Sequence, residues 1–206
     1  MDDFTESWKN KKVFEYQIAK NLEELNGEYP PHWKMFRAFM EILTKSPYNV
    51  KSILDVACGA GVFYKICQKH FPDVQYTGVD YAQEAVDMAK KSWNYDNFFV
   101  QNYKELTKEQ IKKYDIINVC SLHNVLPNGD EVLKFFLDLG PKCIIFGKLL
   151  TSNQPSYFNV YKAYGEITTY LFYNNIDYVK NLFKQYNYSV YCNQSDLPTE
   201  YLLIKK

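Results

Sequence analysis

Ser52-Ile53-Leu54-Asp55-Val56-Ala57-Cys58-Gly59-Ala60-Gly61-Val62-Phe63 is the stretch that decides the fold. It reads as a buried apolar strand, an acidic residue, a turn of small residues and the start of a helix. Gly59 and Gly61 let the backbone bend sharply and approach a ligand with no Cβ in the way. The helix that follows offers free N–H groups and the positive end of its dipole, a seat for a phosphate or any other electron-rich group. Asp80 closes the next apolar run, Tyr76-Thr77-Gly78-Val79-Asp80, twenty-one residues after Gly59. A carboxylate there can accept hydrogen bonds from both hydroxyls of a ribose. Together the two stretches describe a pocket for an adenosine-containing cofactor.

Outward from this stretch, short apolar runs alternate with helical patterns. Strands are predicted at 51–57, 75–80, 97–101, 114–120 and 141–147, with helices at 61–70, 82–92, 106–112 and 129–138 between them. Such alternation argues for a parallel sheet, because parallel neighbours need a connection long enough to cross a face. Upstream, residues 5–25 and 33–43 read as helices separated by Gly27-Glu28-Tyr29-Pro30-Pro31. Downstream, 175–186 reads as a helix. Ser189-Val190-Tyr191-Cys192 and Tyr201-Leu202-Leu203-Ile204 follow, with a polar turn at 193–198 between them. Two runs so close pair antiparallel. The expected fold is therefore α/β: a Rossmann-like, doubly wound, mostly parallel seven-stranded sheet ending in an antiparallel hairpin, preceded by N-terminal helices. We expect one domain over 1–206, with a helical cap (1–49), a cofactor-binding core (50–148), a lid or substrate-facing segment rich in Tyr and Phe (149–174), and a terminal helix and hairpin (175–206).

Composition narrows the function. Lys plus Arg equals Asp plus Glu at 24 each, which disfavours a nucleic-acid partner. No apolar run reaches the ~18 residues of a membrane span, and the acidic start Met1-Asp2-Asp3-Phe4 has no apolar core of a signal peptide. The expectation is a cytoplasmic protein. Cys58, Cys67, Cys120, Cys143 and Cys192 are too dispersed for a zinc knuckle or a disulfide framework, so no metal site is expected. A dinucleotide turn wants a third glycine where Tyr64 stands, and no Gly-Lys-Ser or Gly-Lys-Thr of a Walker loop occurs.

Asp55, Ala57, Cys58, Gly59 and Gly61 resemble the first motif of the class I S-adenosylmethionine-dependent methyltransferases in its form D-x-A-C-G-x-G, with Ala57 in place of the first glycine. The resemblance implies that this loop holds the amino-acid end of S-adenosyl-L-methionine, that Asp80 holds the ribose, and that Tyr81 lies beside the adenine. Phe98-Phe99-Val100-Gln101-Asn102 ends the third strand, where the family often has an acidic residue on the adenine amino group; here Gln101 or Asn102 offers an amide instead. Tyr114-Asp115 through Cys120-Ser121-Leu122-His123-Asn124-Val125-Leu126-Pro127 is similar to the fourth-strand motif of small-molecule members, and puts Cys120 and Ser121 beside the cofactor. Asp115, ahead of the strand, reads as structural.

The implied reaction is methyl transfer to a small-molecule acceptor, leaving S-adenosyl-L-homocysteine. His123, just past strand four, is either a general base or a residue that organises its loop. Ser121 and Asn124 orient a substrate or cap the helix beginning near Asn128. Tyr29, His32 and Trp33 line the acceptor site if the N-terminal helices fold over it, or else simply pack. Lys148 faces an anionic substrate or solvent. An oxygen acceptor with His123 as base, or a nitrogen acceptor needing less help, both fit; a metabolite or a sugar or polysaccharide precursor is the expected class. The alternatives are an inactive module that binds the cofactor, and a methyltransferase acting on protein or RNA.

Overall fold

The computed structural model describes residues 4–45, 47–192 and 199–206. The turn read at 193–198 lies outside the described residues. Five parallel strands run through the centre: β1 (Ser52–Val56), β2 (Gln75–Asp80), β3 (Phe98–Val100), β4 (Ile116–Cys120) and β5 (Cys143–Leu149). The crossover helices are α3 (Val62–His70), α4 (Gln83–Trp93), the single turn α5 (Lys108–Ile111) and α6 (Gly129–Leu139). Five described strands lie outside this run: β6 (Thr151–Ser152), β7 (Tyr157–Ala163) and β8 (Ile167–Asn175) form a separate three-stranded sheet, and β9 (Tyr188–Cys192) and β10 (Thr199–Lys205) form the hairpin. The main sheet has the order β3-β2-β1-β4-β5-β10-β9, and β10 pairs antiparallel with both neighbours. The mostly parallel seven-stranded sheet with its terminal hairpin is thus the observed architecture.

Central strands buried on both faces need apolar residues at successive positions. Ile53 points to a core shared with α3, α4 and α2 (Pro31–Leu43), and Leu54 to one shared with α5, α6 and α7 (Ile176–Gln185). Asp115 has the structural role expected of it. Its Oδ2 accepts from the Lys51 and Ser52 backbone N–H groups at 2.8 and 3.1 Å, and from Ser52 Oγ at 3.0 Å, pinning β1 to the start of β4.

Two elements differ from the sequence expectation. The helix read over 5–25 is broken: a 3-10 turn (Thr5–Lys9) precedes α1 (Lys11–Asn26), because Asn10 is extended and its side chain caps Lys12 N–H. Segment 151–174, read as a lid or substrate-facing insertion with no element assigned to it, carries strands, with β7 and β8 zipped from Tyr157↔Tyr173 to Ala163↔Ile167. The hairpin packs on the N-terminal segment. Val13, Ala163 and Ile167 form a small core beside Trp8, whose Nε1 donates to Thr169 Oγ1 at 2.8 Å. Among the described residues, no helix is long and apolar enough to cross a membrane.

Candidate active site

In an open α/β sheet, ligands bind beyond the carboxyl ends of the strands, where neighbouring connections leave to opposite sides. Here that point lies between β1 and β4, and a cavity of about 550 Å³ opens there. Its size suits a cofactor and a small acceptor together.

The floor is a network of buried polar groups. Asp55, 1% exposed, accepts from Tyr76 Oη at 2.5 Å and from Asn118 Nδ2 at 2.7 Å, Asn118 being its cross-strand partner on β4. Burial raises its pKa to about 7, and the two hydrogen bonds oppose the rise. Asp80, 6% exposed at the end of β2, accepts from Gly59 N–H at 2.9 Å and Ala82 N–H at 3.0 Å. Its pKa is also raised, by burial, against those backbone donors. Among the described residues, neither carboxylate has a basic side chain within ion-pairing distance. Two buried carboxylates without a cation are what a positively charged ligand satisfies.

The glycine turn links these two strands. Ala57, Gly59 and Gly61 all hold left-handed φ (56°, 52° and 73°), and Gly61 is the N-cap of α3. A Cβ on Gly61 would lie 2.6 Å from the Phe98 ring, so only glycine lets the turn rest on β3. A Cβ on Gly59 would reach within 2.9 Å of Gln17 Oε1. Cys58 and Cys120 line the cavity, and burial holds both thiols above the usual range, Cys120 at about 11. They act as small apolar walls.

The structure brings together Asp55, Ala57, Cys58, Gly59, Asp80, Tyr81, Gln101, Asn102, Cys120 and Ser121 around the cavity, with His32, Trp33, Asn124 and Lys148 on its other walls. Gly61 sits beneath the turn rather than on the wall. Asn102 spends its Oδ1 on the Lys104 N–H at 3.0 Å, leaving its amino group free to donate. Tyr29 is not part of the lining: its hydroxyl meets His70 Nε2 at 3.2 Å and its ring packs on Trp33. Neither Ser121 nor Asn124 caps α6, whose N-cap is Asn128. Instead Asn124 Oδ1 is buried without a partner, a polar atom available to a ligand.

His123 is also absent from the lining, although Leu122 and Asn124 on either side belong to it. It is 0% exposed and packs edge-on against Phe146, 5.9 Å between ring centroids. Neither ring nitrogen makes a hydrogen bond of normal geometry. Burial pushes its pKa down to about 3, outweighing the Lys148 backbone that favours the charged form. This placement supports the loop-organising role of the two that the sequence allowed.

Sequence reasoning missed the roof. Phe14, Gln17, Asn21 and Glu24 face the cavity from α1. Gln17 Oε1 accepts from Ala60 N–H at 3.1 Å, while its Nε2 donates to Tyr164 Oη at 3.4 Å. One side chain therefore ties the glycine turn to the tip of the β7–β8 hairpin. Tyr161 and Tyr164 complete that wall. The signal was present: residues 14, 17, 21 and 24 recur at helical spacing and share one face. A stripe of spacing four through Phe14, Ile18 and Leu22 is the more apolar one in sequence, yet it leaves Leu22 45% exposed.

The comparisons with known proteins agree with this geometry. Residues 54–139 match a family described as a methyltransferase domain. A malonyl-[acyl-carrier protein] O-methyltransferase of Acetivibrio thermocellus is 26% identical over 110 residues, 52% of this chain and 38% of that protein. A ubiquinone biosynthesis O-methyltransferase of Coxiella burnetii is 32% identical over 88 residues, 41% of this chain and 36% of that protein. The match therefore spans well under half the length of these relatives. Among solved structures, CalS10, an amino pentose methyltransferase from Micromonospora echinaspora, superposes with TM-score 0.63 at 10% identity, covering 92% of this chain and 97% of that one. A methyltransferase from Clostridium acetobutylicum gives 0.61 at 14% identity, covering 92% and 98%. The strand order, the spaced glycines after β1 and the acidic end of β2 all fall within or beside the stretch that is similar to a methyltransferase domain, and the fold is that of the superposed methyltransferase structures.

Proposed function

We propose that the chain transfers a methyl group from S-adenosyl-L-methionine to a small-molecule acceptor. The observation that carries this is the bond from Gly59 N–H to the Asp80 carboxylate, which joins the glycine turn to the end of β2 on the wall of a cavity that also holds Asp55. When bound, the cofactor supplies a methyl carbon already activated by its sulfonium. Asp80 keeps lone pairs free to accept the ribose hydroxyls, Tyr81 and the amides of Gln101 and Asn102 lie at the adenine end, and Asp55 sits toward the ammonium end. The O-methyltransferase names of the two relatives and the sugar N-methyltransferase KedS8, a structural neighbour, favour a metabolite or sugar-type acceptor.

The acceptor end lies between Trp33, His32, Asn124, Lys148 and the roof tyrosines. The hairpin and the N-terminal helices act there as a lid, excluding water and fixing the line of attack. His32 has its pKa lowered to about 3, first by burial and then by the nearby Lys148 charge. With His123 outside the cavity, no lining imidazole titrates near neutral pH. The reading therefore favours an acceptor that is nucleophilic without strong base assistance, such as an amine or an acidic oxygen. Five free cysteines suit a reducing compartment, and we place the enzyme in the cytoplasm.

Incubating the purified chain with S-adenosyl-L-methionine and a panel of amines, carboxylates, phenols and alcohols tests this. Formation of S-adenosyl-L-homocysteine that depends on one of the first three classes is the expected result. Binding of the cofactor with no turnover on any acceptor favours the inactive binding module. Turnover on protein or RNA alone moves the acceptor to a macromolecule.

A further inference from the structure

Three neighbouring strands of the main sheet, β1, β4 and β5, end at the cavity in the same unusual way. Ala57, Ser121 and Lys148 each adopt a left-handed backbone, with φ of 56°, 68° and 59°, and each lines the cavity. For a residue with a Cβ this conformation costs roughly 1 kcal/mol or more, and such strain collects where the surrounding structure holds a side chain in place for a purpose. Ala57 starts the glycine turn, and Ser121 starts the loop that carries Asn124. Lys148 sits where the pairing of β5 with β10 shifts register between Thr199 and Tyr201, a bulge that re-aims its side chain, and it is the one of the three with a long charged group.

The neighbours of Lys148 explain its geometry. Ser121 N–H donates to the Gly147 carbonyl at 3.1 Å, locking the end of β4 to β5 just before Lys148. On the other side β10 brings Glu200, 3% exposed, whose carboxylate is hydrogen-bonded by the backbone amides of Lys148 and of Glu200 itself. Glu200 thus holds the Lys148 backbone and also feels its ammonium charge, without a direct ion pair. Among the described residues, Lys148 forms no ion pair within 4.0 Å. Lys20, the other lysine of the lining, is paired with Glu23 at 3.1 Å and Glu24 at 3.8 Å. Among the described residues, the cavity therefore offers one lysine outside any ion pair, three strands away from Asp80 in the sheet and close to His32, in a lining that also holds the partnerless Asn124 Oδ1 and the aromatic Trp33, Tyr161 and Tyr164.

Resting on the reading of this cavity as a methyltransferase site, we infer that the acceptor is an oxyanion, a small molecule whose carboxylate or phosphate is held by the Lys148 ammonium. Lys148 is then a specificity residue, selecting by charge which acceptor enters. Ser121 and Asn124 supply polar contacts beside it, and the roof aromatics cover the apolar part of the molecule.

The test titrates benzoate, phenyl phosphate and benzamide into the full chain saturated with S-adenosyl-L-homocysteine, following the probes by NMR. Benzamide has the shape of benzoate without the charge. A charge-assisted hydrogen bond corresponds to ~10-fold or more in affinity. At least one anion is expected to bind ~10-fold tighter than benzamide, and Lys148→Met to erase that preference while binding S-adenosyl-L-homocysteine as the parent does. Lys148→Gly guards against misfolding, since glycine adopts the left-handed backbone freely. It is expected to melt at or above the parent temperature and to lose the preference as well. Equal binding of all three probes, no binding of any probe, or a preference that survives both variants overturns the inference. A chain that takes up no S-adenosyl-L-homocysteine defeats the cofactor reading separately; the same titrations on the ligand-free chain then decide the oxyanion site by the same criteria.

Discussion

Asp55→Asn is expected to weaken S-adenosyl-L-methionine binding by ~100-fold at pH 8 while leaving the free protein as stable as the parent or more so. Removing one member of a buried charge pair costs about 2–5 kcal/mol of binding, mostly because the other charge is left alone. The stability effect has the opposite sign. Burial raises the Asp55 pKa to about 7 in the folded chain, against ~3.9 for an unperturbed aspartate. The folded state therefore holds a proton that the unfolded state has lost between those values, and stability falls as pH rises from about 4 to about 7. Above that range the charged carboxylate remains a burden until a cation arrives. The asparagine carries no such burden, and it can still bond to Tyr76 and to Asn118, whose Oδ1 has no partner. Urea unfolding at pH 5 and pH 8 checks this, the variant lacking the parent's loss of stability between them. Equal binding by parent and variant would remove Asp55 from the site.

Gly61→Ala is expected to destabilise the chain by about 2–4 kcal/mol, the sum of a left-handed backbone forced on a Cβ and overpacking against a buried ring. The added Cβ would stand 2.6 Å from Phe98 and 3.1 Å from the Ala89 Cβ, and Phe98 is 0% exposed with no room to move away. Gly165→Ala is the control. Gly165 has a similar φ of 68°, but its Cβ would meet nothing within 4 Å. It carries the strain alone and should cost about 1 kcal/mol. Chemical unfolding of both variants separates the two effects. A Gly61→Ala midpoint no lower than that of Gly165→Ala contradicts the packing described for the turn.

The core was legible because its signals are local. A strand buried on both faces shows as an apolar run, and Gly59, Gly61 and Asp80 mark the turn and strand end where they stand in the chain. The structure adds why Gly78 follows the same logic: a Cβ there would lie 2.5 Å from Phe98, so both glycines accommodate one ring. What the sequence hid depends on partners far along the chain. Gln17 reads as an ordinary polar helix residue until Ala60 and Tyr164 meet it, 43 and 147 positions away. The hairpin was hidden for a different reason. Most side chains of β7 are exposed or half-exposed, so Tyr157 to Lys162 lacks the alternation that marks a half-buried strand. His123 shows the opposite failure. Its place after strand four is conspicuous in sequence, yet the turn of Leu122–Asn124 carries its ring into the Phe146 packing and leaves its neighbours on the cavity wall.

Calorimetric titration of the purified chain at pH 8 with S-adenosyl-L-homocysteine, set beside NAD, tests the central claim most directly. One site saturating with the homocysteine nucleoside, and no heat with the dinucleotide, is the predicted result. No heat and no rise in melting temperature with either the methylated or the demethylated nucleoside would contradict it.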